Sequence, residues 1–475
     1  MTEARIVLLG PGARELLAIR SSQGRHLLVR TEVSMSDRLV PQIHHALQTR
    51  YGLRGIVLDF LSTVHSASLC VAFELFTAPL MKVFHAVAVD AITTNDLSES
   101  ERMAVAKLQT GRAESPMARS GWIDEAIAWT EETTHRKVTS KHDIEQYNAG
   151  RSFALLRFSM ADGRRVWLKA TSRSNAHELA ISSLLSKLCA GFVPDVIGVH
   201  THWNAWLMAE LETSATTFPR CEQVTWARKL EHAVEALAAL QCRTMRCETE
   251  LFASGAFDQR LPRLKAHSDA LFERVAEAMS LQTSTKNAHL DGASLRRLRS
   301  VFKHVCDVVG EHDTPAAVIH GDMSAGNLAF ASDRCWFLDW CEAYVGWPYV
   351  TLQHLLLLNR PEDKANKAAA DRALIKQYCD TMSAIGLGRN HKCAIACMPL
   401  LAAASALYGR GEWIDRSLEN DIRRQKYVRT LAWHMNSAAQ SCDLLDAIQA
   451  RSFITVPDYP VANDSGERID AAPCA

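Results

Sequence analysis

The chain has 475 residues, room for about three domains, and its 48% hydrophobic and 22% charged content is ordinary for a soluble protein. Lys plus Arg equals Asp plus Glu at 53 each, so no basic excess points to nucleic acid or a membrane surface and no acidic excess to a polycationic partner. Thirteen cysteines fall at no zinc-ribbon or redox spacing and Met1 to Arg5 opens no signal segment, so reduced thiols and a cytoplasmic location are expected.

Residues 1–115 carry β-like apolar runs at Ile6 to Leu9, Leu16 to Ile19, Leu27 to Val29, Gly55 to Leu61, Leu69 to Phe76 and Val83 to Ala91. One helical stretch lies near Gln42 to Arg50, and together these predict a small α/β domain. In the connecting stretch 116–140, Ser120 to Trp129 reads as an amphipathic helix because Trp122, Ala126 and Trp129 share a face. Packing that docks the flanking domains is the simpler role for those tryptophans than ligand binding.

In residues 141–212 the runs Ser152 to Met160 and Arg164 to Ala170 flank Asp162-Gly163, which predicts a two-residue hairpin turn. Strand alternation puts Val166, Leu168 and Ala170 on one face and Trp167 and Lys169 on the other. Nine residues after Lys169, Glu178 opens a helical pattern with Ile181, Leu184, Leu185 and Leu188 as its apolar stripe. Glu178 falls on the buried face, where a carboxylate needs a cation, and Lys169 is the candidate. Two further runs, Val193 to Val199 and Ala205 to Leu211, complete an antiparallel sheet. The His200-x-His202 spacing between them sits in a turn without further ligands, and no metal is assigned to it.

Residues 213–455 are mainly helical in pattern. Thr225 to Cys242 repeats Trp226, Leu230, Ala233, Val234, Leu237 and Leu240 at helical spacing, and another helix starts after Trp347-Pro348-Tyr349 with Leu352 and Leu355 to Leu358. Ile395 to Tyr408, a largely apolar run of fourteen residues containing Pro399, is short of the ~20 that a bilayer span needs and predicts a buried helix. From residue 361 onward acids and bases balance, so nothing there marks a pocket for a polycation. The tail 456–475, with Pro457, Pro460, Asn463, Asp464, Ser465, Gly466 and Pro473, is expected to be disordered.

The most telling stretch lies inside this region. Val318-Ile319-His320-Gly321-Asp322, then Asn327-Leu328, then Cys335-Trp336-Phe337-Leu338-Asp339-Trp340, reads as strand, loop, strand, turn and strand. Such a hairpin would gather Asp322, Asn327 and Asp339. Magnesium takes oxygen ligands and keeps waters, so one carboxylate and one amide oxygen suffice from the protein, and a second carboxylate is left to accept a hydroxyl proton. Asp322 fits the base, Asn327 and Asp339 the metal ligands, and His320 a buttress of the loop. Gly321 is expected to permit a backbone angle that a side chain would forbid. The plain alternative is a polar turn between two core strands.

These motifs, in order and spacing, resemble the aminoglycoside phosphotransferase and choline kinase family, the small-molecule branch of the protein-kinase-like fold, over residues 136–455. The resemblance implies an α+β, two-lobed kinase-like architecture, an antiparallel N-lobe at 141–212 and a helical C-lobe at 213–455, preceded by the smaller α/β domain. It implies ATP as donor, Mg2+ on Asn327 and Asp339, Asp322 as catalytic base and His320 as loop support. Lys169, held by Glu178, would meet the nucleotide phosphates together with the loop at Gly150 and Ser152. The backbone of Ala209, Glu210 and Leu211 would meet the base, and the acceptor would be a hydroxyl of a small molecule. Two departures stand out: the loop Asn148 to Ser152 has the single glycine Gly150, and Trp167 lies where protein kinases place a small residue against the base. Its ring must turn aside, stack on the base or change the choice of nucleotide.

The helix followed by Tyr51-Gly52-Leu53 gives the first domain a resemblance to the Nudix hydrolase domain, but Ala46, Thr49 and Arg50 stand where that motif needs acids. A Nudix-like domain here would bind, pack or form a homo-oligomer rather than hydrolyse. Two function classes follow: an ATP-dependent small-molecule kinase, or a catalytically weak nucleotide-binding protein that regulates a partner through its N-terminal domain.

Overall fold

A computed structural model describes residues 1–13, 15–62, 68–112, 115–212, 225–311, 314–331, 334–359, 366–387 and 391–449. The expected disordered tail and the turn residues Ser332 and Asp333 lie outside these. The chain divides into two units, one of residues 1–179 and 194–211, the other of the remainder.

In the first unit, alternation along the strands decides everything else. Strands β1 (Thr2–Leu9), β2 (Leu16–Arg20), β3 (His26–Leu27) and β4 (Val29–Val33) precede helix α1 (Leu39–Tyr51), and β5 (Gly55–Phe60), β6 (Leu69–Leu75) and β7 (Phe84–Val87) follow it. They form one mixed sheet of order β3-β2-β1-β6-β5, with β4 on β1 and β7 on β2; β1 runs parallel to β6. Ala4, Ile6 and Leu8 of β1 join Val71 and Phe73 of β6 in a core closed by Val40, Ile43 and Leu47 of α1. Val7 and Leu9, on the opposite face, join Cys70 and Ala72 in a second core. A sheet buried on both faces explains why its strands read as continuous apolar runs rather than as alternating ones.

That second core is shared. Strands β8 (Glu145–Asn148), β9 (Phe153–Ser159), β10 (Arg165–Thr171), β11 (Val196–His200) and β12 (Ala205–Ala209) form an antiparallel sheet of order β11-β12-β10-β9-β8. Its inner face supplies Ala154, Leu156, Phe158, Val166, Leu168, Ala170 and Leu207 to the same cluster as Val7 and Leu9. Between the sheets lies α3 (Trp122–Thr134), preceded by α2 (Glu99–Gln109). Trp122 and Ala126 are buried, and the rings of Trp122 and Trp129 stand edge-on to Trp203 at 5.9 and 6.0 Å. Trp122 and Ala126 therefore pack in the core that both sheets share.

Two local expectations change. The β9–β10 connection is a three-residue loop: Met160 and Arg164 pair, Gly163 donates to the Met160 carbonyl, and Gly163 takes φ +85°, the left-handed position of a type I turn with a bulge. Helix α2 was not expected, although Ser98 and Glu101 form a complete capping box at its start.

The second unit is mainly helical, with α4 (His177–Leu188) beginning in the first. Strands β13 (Phe257–Gln259), β14 (Ala317–His320) and β17 (Ala343–Gly346) make a small sheet, and β15 (Leu328–Phe330) pairs with β16 (Cys335–Phe337). The helix Trp226–Thr244 buries Leu230, Ala233, Val234, Leu237 and Leu240 as its periodicity requires. In Tyr349–Leu358, Leu352, Leu355 and Leu356 are buried, but Leu357 and Leu358 face outward. The Pro399 helix runs longer than expected, His391–Tyr408, and is the one described helix long and apolar enough to cross a membrane; two thirds of it is buried, against the helix Ile422–Ala439 among others. No disulfide joins the described cysteines.

The face of β1 that carries Val7 and Leu9 also buries a charge, Arg5, which pairs with Glu101 of α2 at 2.8 Å with both side chains almost wholly buried. Burial alone would raise the Glu101 pKa, but hydrogen bonds from Arg5 and Ser98 outweigh it and hold the carboxyl below the ordinary glutamate range. The stabilisation from this carboxylate is present above the unfolded pKa of about 4.3 and is lost as pH falls through the lower folded value. The stability advantage of wild type over Glu101→Gln should therefore be constant near neutrality and shrink below pH ~4.3, read from thermal midpoints across pH; an advantage that grows on acidification would contradict the assignment.

Candidate functional site

Two polar constellations stand out, one in each unit. In the first, register sets the geometry: Lys169 of β10 lies opposite Leu155 of β9 and Trp206 of β12, with its side chain on the face away from the shared core. Its ammonium reaches the Glu178 carboxylate at 2.6 Å, with Lys169 and Glu178 only 10% and 2% exposed at their side chains. The rings of Phe153 and Trp206 lie 5.4 and 5.8 Å from Nζ. The Lys169–Glu178 pair is thus the one the sequence expected, made because the attraction between a buried carboxylate on the first turn of α4 and a buried lysine on a strand offsets part of the cost of desolvating each.

The same face carries Trp167, whose indole N–H donates to the Glu210 carboxylate. The ring lies 4.9 Å from Tyr147 and beneath the Arg157 guanidinium at 5.4 Å, and Arg157 in turn bonds Glu145 and Glu210. Trp167 therefore neither turns away nor stands open: it is built into a half-buried aromatic and ionic cluster. Ala209 and Glu210 donate their amides to Asp195 and Arg165 carbonyls, so those two expected base-contacting amides are already used in the sheet, and Leu211 follows half-buried.

In the loop between β8 and β9, Gly150 is buried at φ +117° and Ser152 is exposed, its carbonyl accepting from the Ser172 amide at 2.9 Å.

In the second unit, β14 ends at His320, which is 2% exposed. The Asp322 amide donates to Nδ1 at 3.2 Å, which leaves Nε2 as the protonated nitrogen, and Nε2 donates to the Leu338 carbonyl at 2.8 Å. One neutral imidazole thus ties the loop at Asp322 to the residue before Asp339. Asn327 donates Nδ2 to the Asp322 carbonyl and to Oδ2, each at 3.0 Å, while Ser324 donates its amide to Oδ1 at 3.1 Å. With Nδ2 committed, the atom of Asn327 left for a cation is its oxygen. The Asn327 carbonyl accepts from the Leu338 amide at 2.9 Å, which extends the β15–β16 ladder and sets Asp339 one residue beyond it. Asp339 holds φ 63° and ψ 76°, a left-handed conformation costing a non-glycine residue about 1–3 kcal/mol. Such strain, directly beside a bonded Asp–Asn pair, separates this loop from an ordinary polar turn.

Gly321 plays a different part from the one expected. It takes no positive φ; a Cβ there would lie 2.7 Å from the Glu342 carbonyl oxygen and 2.6 Å from the Tyr344 ring, so close approach to β17 demands glycine. One support was missed altogether: Asn359, buried at the end of the Tyr349–Leu358 helix, donates Nδ2 to the Met323 carbonyl at 2.6 Å and so holds the loop from below. Nothing local in Leu-Asn-Arg signals this, because its partner is 36 residues away.

The donor set suits a hard divalent cation: an amide oxygen from Asn327 and a carboxylate from Asp339, with waters and phosphate oxygens as the remaining shell. Among the described residues no group of three or more His, Cys, Asp or Glu forms a metal cage.

No family model and no curated protein matches the sequence. Solved structures do align with it. A choline/ethanolamine kinase family protein from Mesorhizobium loti aligns at 15% identity and TM-score 0.43, over 69% of this chain and 98% of its own. A macrolide 2'-phosphotransferase from Brachybacterium faecium aligns at 16% and 0.39, over 70% and 98%, and a choline kinase from Streptococcus pneumoniae at 12% and 0.40, over 66% and 99%. The aligned proteins are small-molecule kinases and phosphotransferases, the group that the motifs resemble. At these scores the functional reading rests on the side-chain geometry.

Removing one partner of the Lys169–Glu178 pair leaves a buried charge and should cost about 3–5 kcal/mol, whereas replacing both by apolar residues should cost much less than the sum. Thermal midpoints of Lys169→Met, Glu178→Leu and the double variant check this; additive losses would show that the two side chains are not coupled.

Proposed function

We propose that the protein is an ATP- and magnesium-dependent phosphotransferase that moves the γ-phosphoryl group to a hydroxyl of a small molecule. The observation that carries the reading is the Asp322–Asn327 pair held by His320 beside the strained Asp339. Asp322, with both oxygens oriented by Ser324 and Asn327, accepts the proton of the acceptor hydroxyl as its oxygen bonds to phosphorus and the bond to the leaving phosphate oxygen breaks. Asn327 and Asp339 supply oxygen ligands; a magnesium ion bound there would offset the negative charge of the phosphates. Lys169, fixed by Glu178, adds a positive charge for the nucleotide phosphates. The acceptor is a small alcohol; the charge balance of the chain favours no more specific class.

A second reading, a nucleotide-binding regulator with weak turnover, is favoured by the Trp167 cluster and by the amides of Ala209 and Glu210 that the sheet already uses.

Magnesium-dependent thermal stabilisation by ATP, followed by turnover assays over a panel of cytoplasmic alcohols and amino sugars, separates the two. Asp322→Asn should retain nucleotide-dependent stabilisation and lose about 10²–10⁴-fold in kcat, while Asp339→Ala should lose the magnesium-dependent part of the stabilisation. Stabilisation without turnover in wild type would favour the regulator, and melting indifferent to ATP would end both readings.

A further inference from the structure

The single glycine of the loop at 148–152 poses a physical question: a backbone that meets phosphates must be held in one conformation, and one glycine supplies freedom rather than rigidity. The structure supplies the rigidity from residues 44–60 of the N-terminal domain. Gln146 of β8 exchanges both side-chain hydrogen bonds with the backbone of Val57 in β5, each at 2.9 Å, and its oxygen also meets His44 of α1 at 3.0 Å. Ala149 is buried in the core beneath α1. Asp59 then does most. It follows a bulge in β5, where Val57 and Asp59 face the successive residues Phe73 and Ala72 of β6, and bulges re-aim side chains. Its Oδ1 accepts from the amides of Phe60 at 2.9 Å and Arg151 at 3.2 Å, and its Oδ2 from the Arg151 guanidinium at 3.2 Å. A Cβ on Gly150 would stand 3.3 Å from Oδ1, so the loop passes the carboxylate at the distance only glycine tolerates comfortably. Beyond the loop, Ser152 bonds Ser172 and the next residue, Phe153, carries the ring beside the Lys169 ammonium.

We propose that Asp59 is a positioning residue for the nucleotide: by fixing the amide and guanidinium of Arg151 it sets the backbone of Gly150 to Ser152 that meets the phosphates. The inference rests on the proposed phosphotransferase reading and adds to it a working role for the N-terminal domain, which completes the nucleotide loop. A carboxylate is required because all three groups bonded to it are donors, one of them cationic; an asparagine would turn its NH2 toward at least one of them.

The test uses the full chain. Asp59→Asn should raise the KM and Kd for Mg–ATP about tenfold, equivalent to 1.4 kcal/mol, with kcat nearly unchanged. Pairing it with Arg151→Gln, which restores an amide-to-amide contact, should recover part of that loss. In nucleotide-free protein, hydrogen exchange at the Arg151 and Ser152 amides should quicken in Asp59→Asn while Leu168 in β10 stays protected. If Asp59→Asn does not fold, Arg151→Gln alone, whose side chain is 51% exposed, makes the same KM and exchange test. Wild type that binds Mg–ATP combined with an unchanged KM in the variant overturns this inference alone, as does a fall in kcat or stability with KM unmoved. Wild type that binds no Mg–ATP overturns the functional reading and this inference with it.

Discussion

The pleat of the β-strand is the constraint on which the first unit depends. Because successive side chains point to opposite faces, β10 can bury Val166, Leu168 and Ala170 in the shared core and still hold Lys169 on the other face, opposite that core and against a carboxylate. The same rule lets β1 serve two cores and carry Arg5 between Ile6 and Ala4 without exposing either. Charge is kept where it can be paired, and the apolar face beneath it holds the strand in register. A one-residue slip of β10 would put the ammonium into the apolar core and Leu168 on the polar face against Glu178, so the position of Lys169 is fixed by burial as much as by its ion pair.

In the second unit the ordering force is a polar network rather than a pleat. A neutral His320, a doubly bonded Asn327 and a buried Asn359 hold a short loop from three sides. His320 and Asn359 donate to backbone carbonyls of the loop and Asn327 to both the carbonyl and the carboxylate of Asp322, which makes the arrangement stiff and its disruption costly. This stiffness allows Asp339 to remain in a conformation that an isolated residue would leave.

What the sequence revealed and what it hid divide along separation in the chain. Lys169 and Glu178, nine apart, were legible because strand and helix periodicities place each on a definite face. His320, Asp322, Asn327 and Asp339 were legible because a hairpin brings them together within twenty residues. The Ser98 to Glu101 cap was written in the sequence and went unread, and Asp162-Gly163 was a correct turn signal with the wrong loop length. Asp59 with Arg151, 92 residues apart, and Asn359 with Met323 could not be read, since each side chain is ordinary alone and acquires meaning only from tertiary packing. Gly321 reads as a residue of backbone freedom, whereas the close approach of Glu342 and of the Tyr344 ring is what excludes a side chain there.

The core shared by the two sheets has a consequence for how the chain can be divided. A fragment starting near residue 141 would carry Ala154, Leu156, Phe158, Leu168 and Leu207 on a naked sheet face, an apolar surface of the kind that drives aggregation. The N-terminal 140 residues would in turn lose the cover over Val7 and Leu9. Boundaries that sequence motifs suggest for expression are therefore not boundaries for folding: the two stretches are separate in their motifs but a single object to the ribosome, the chaperone and the protease.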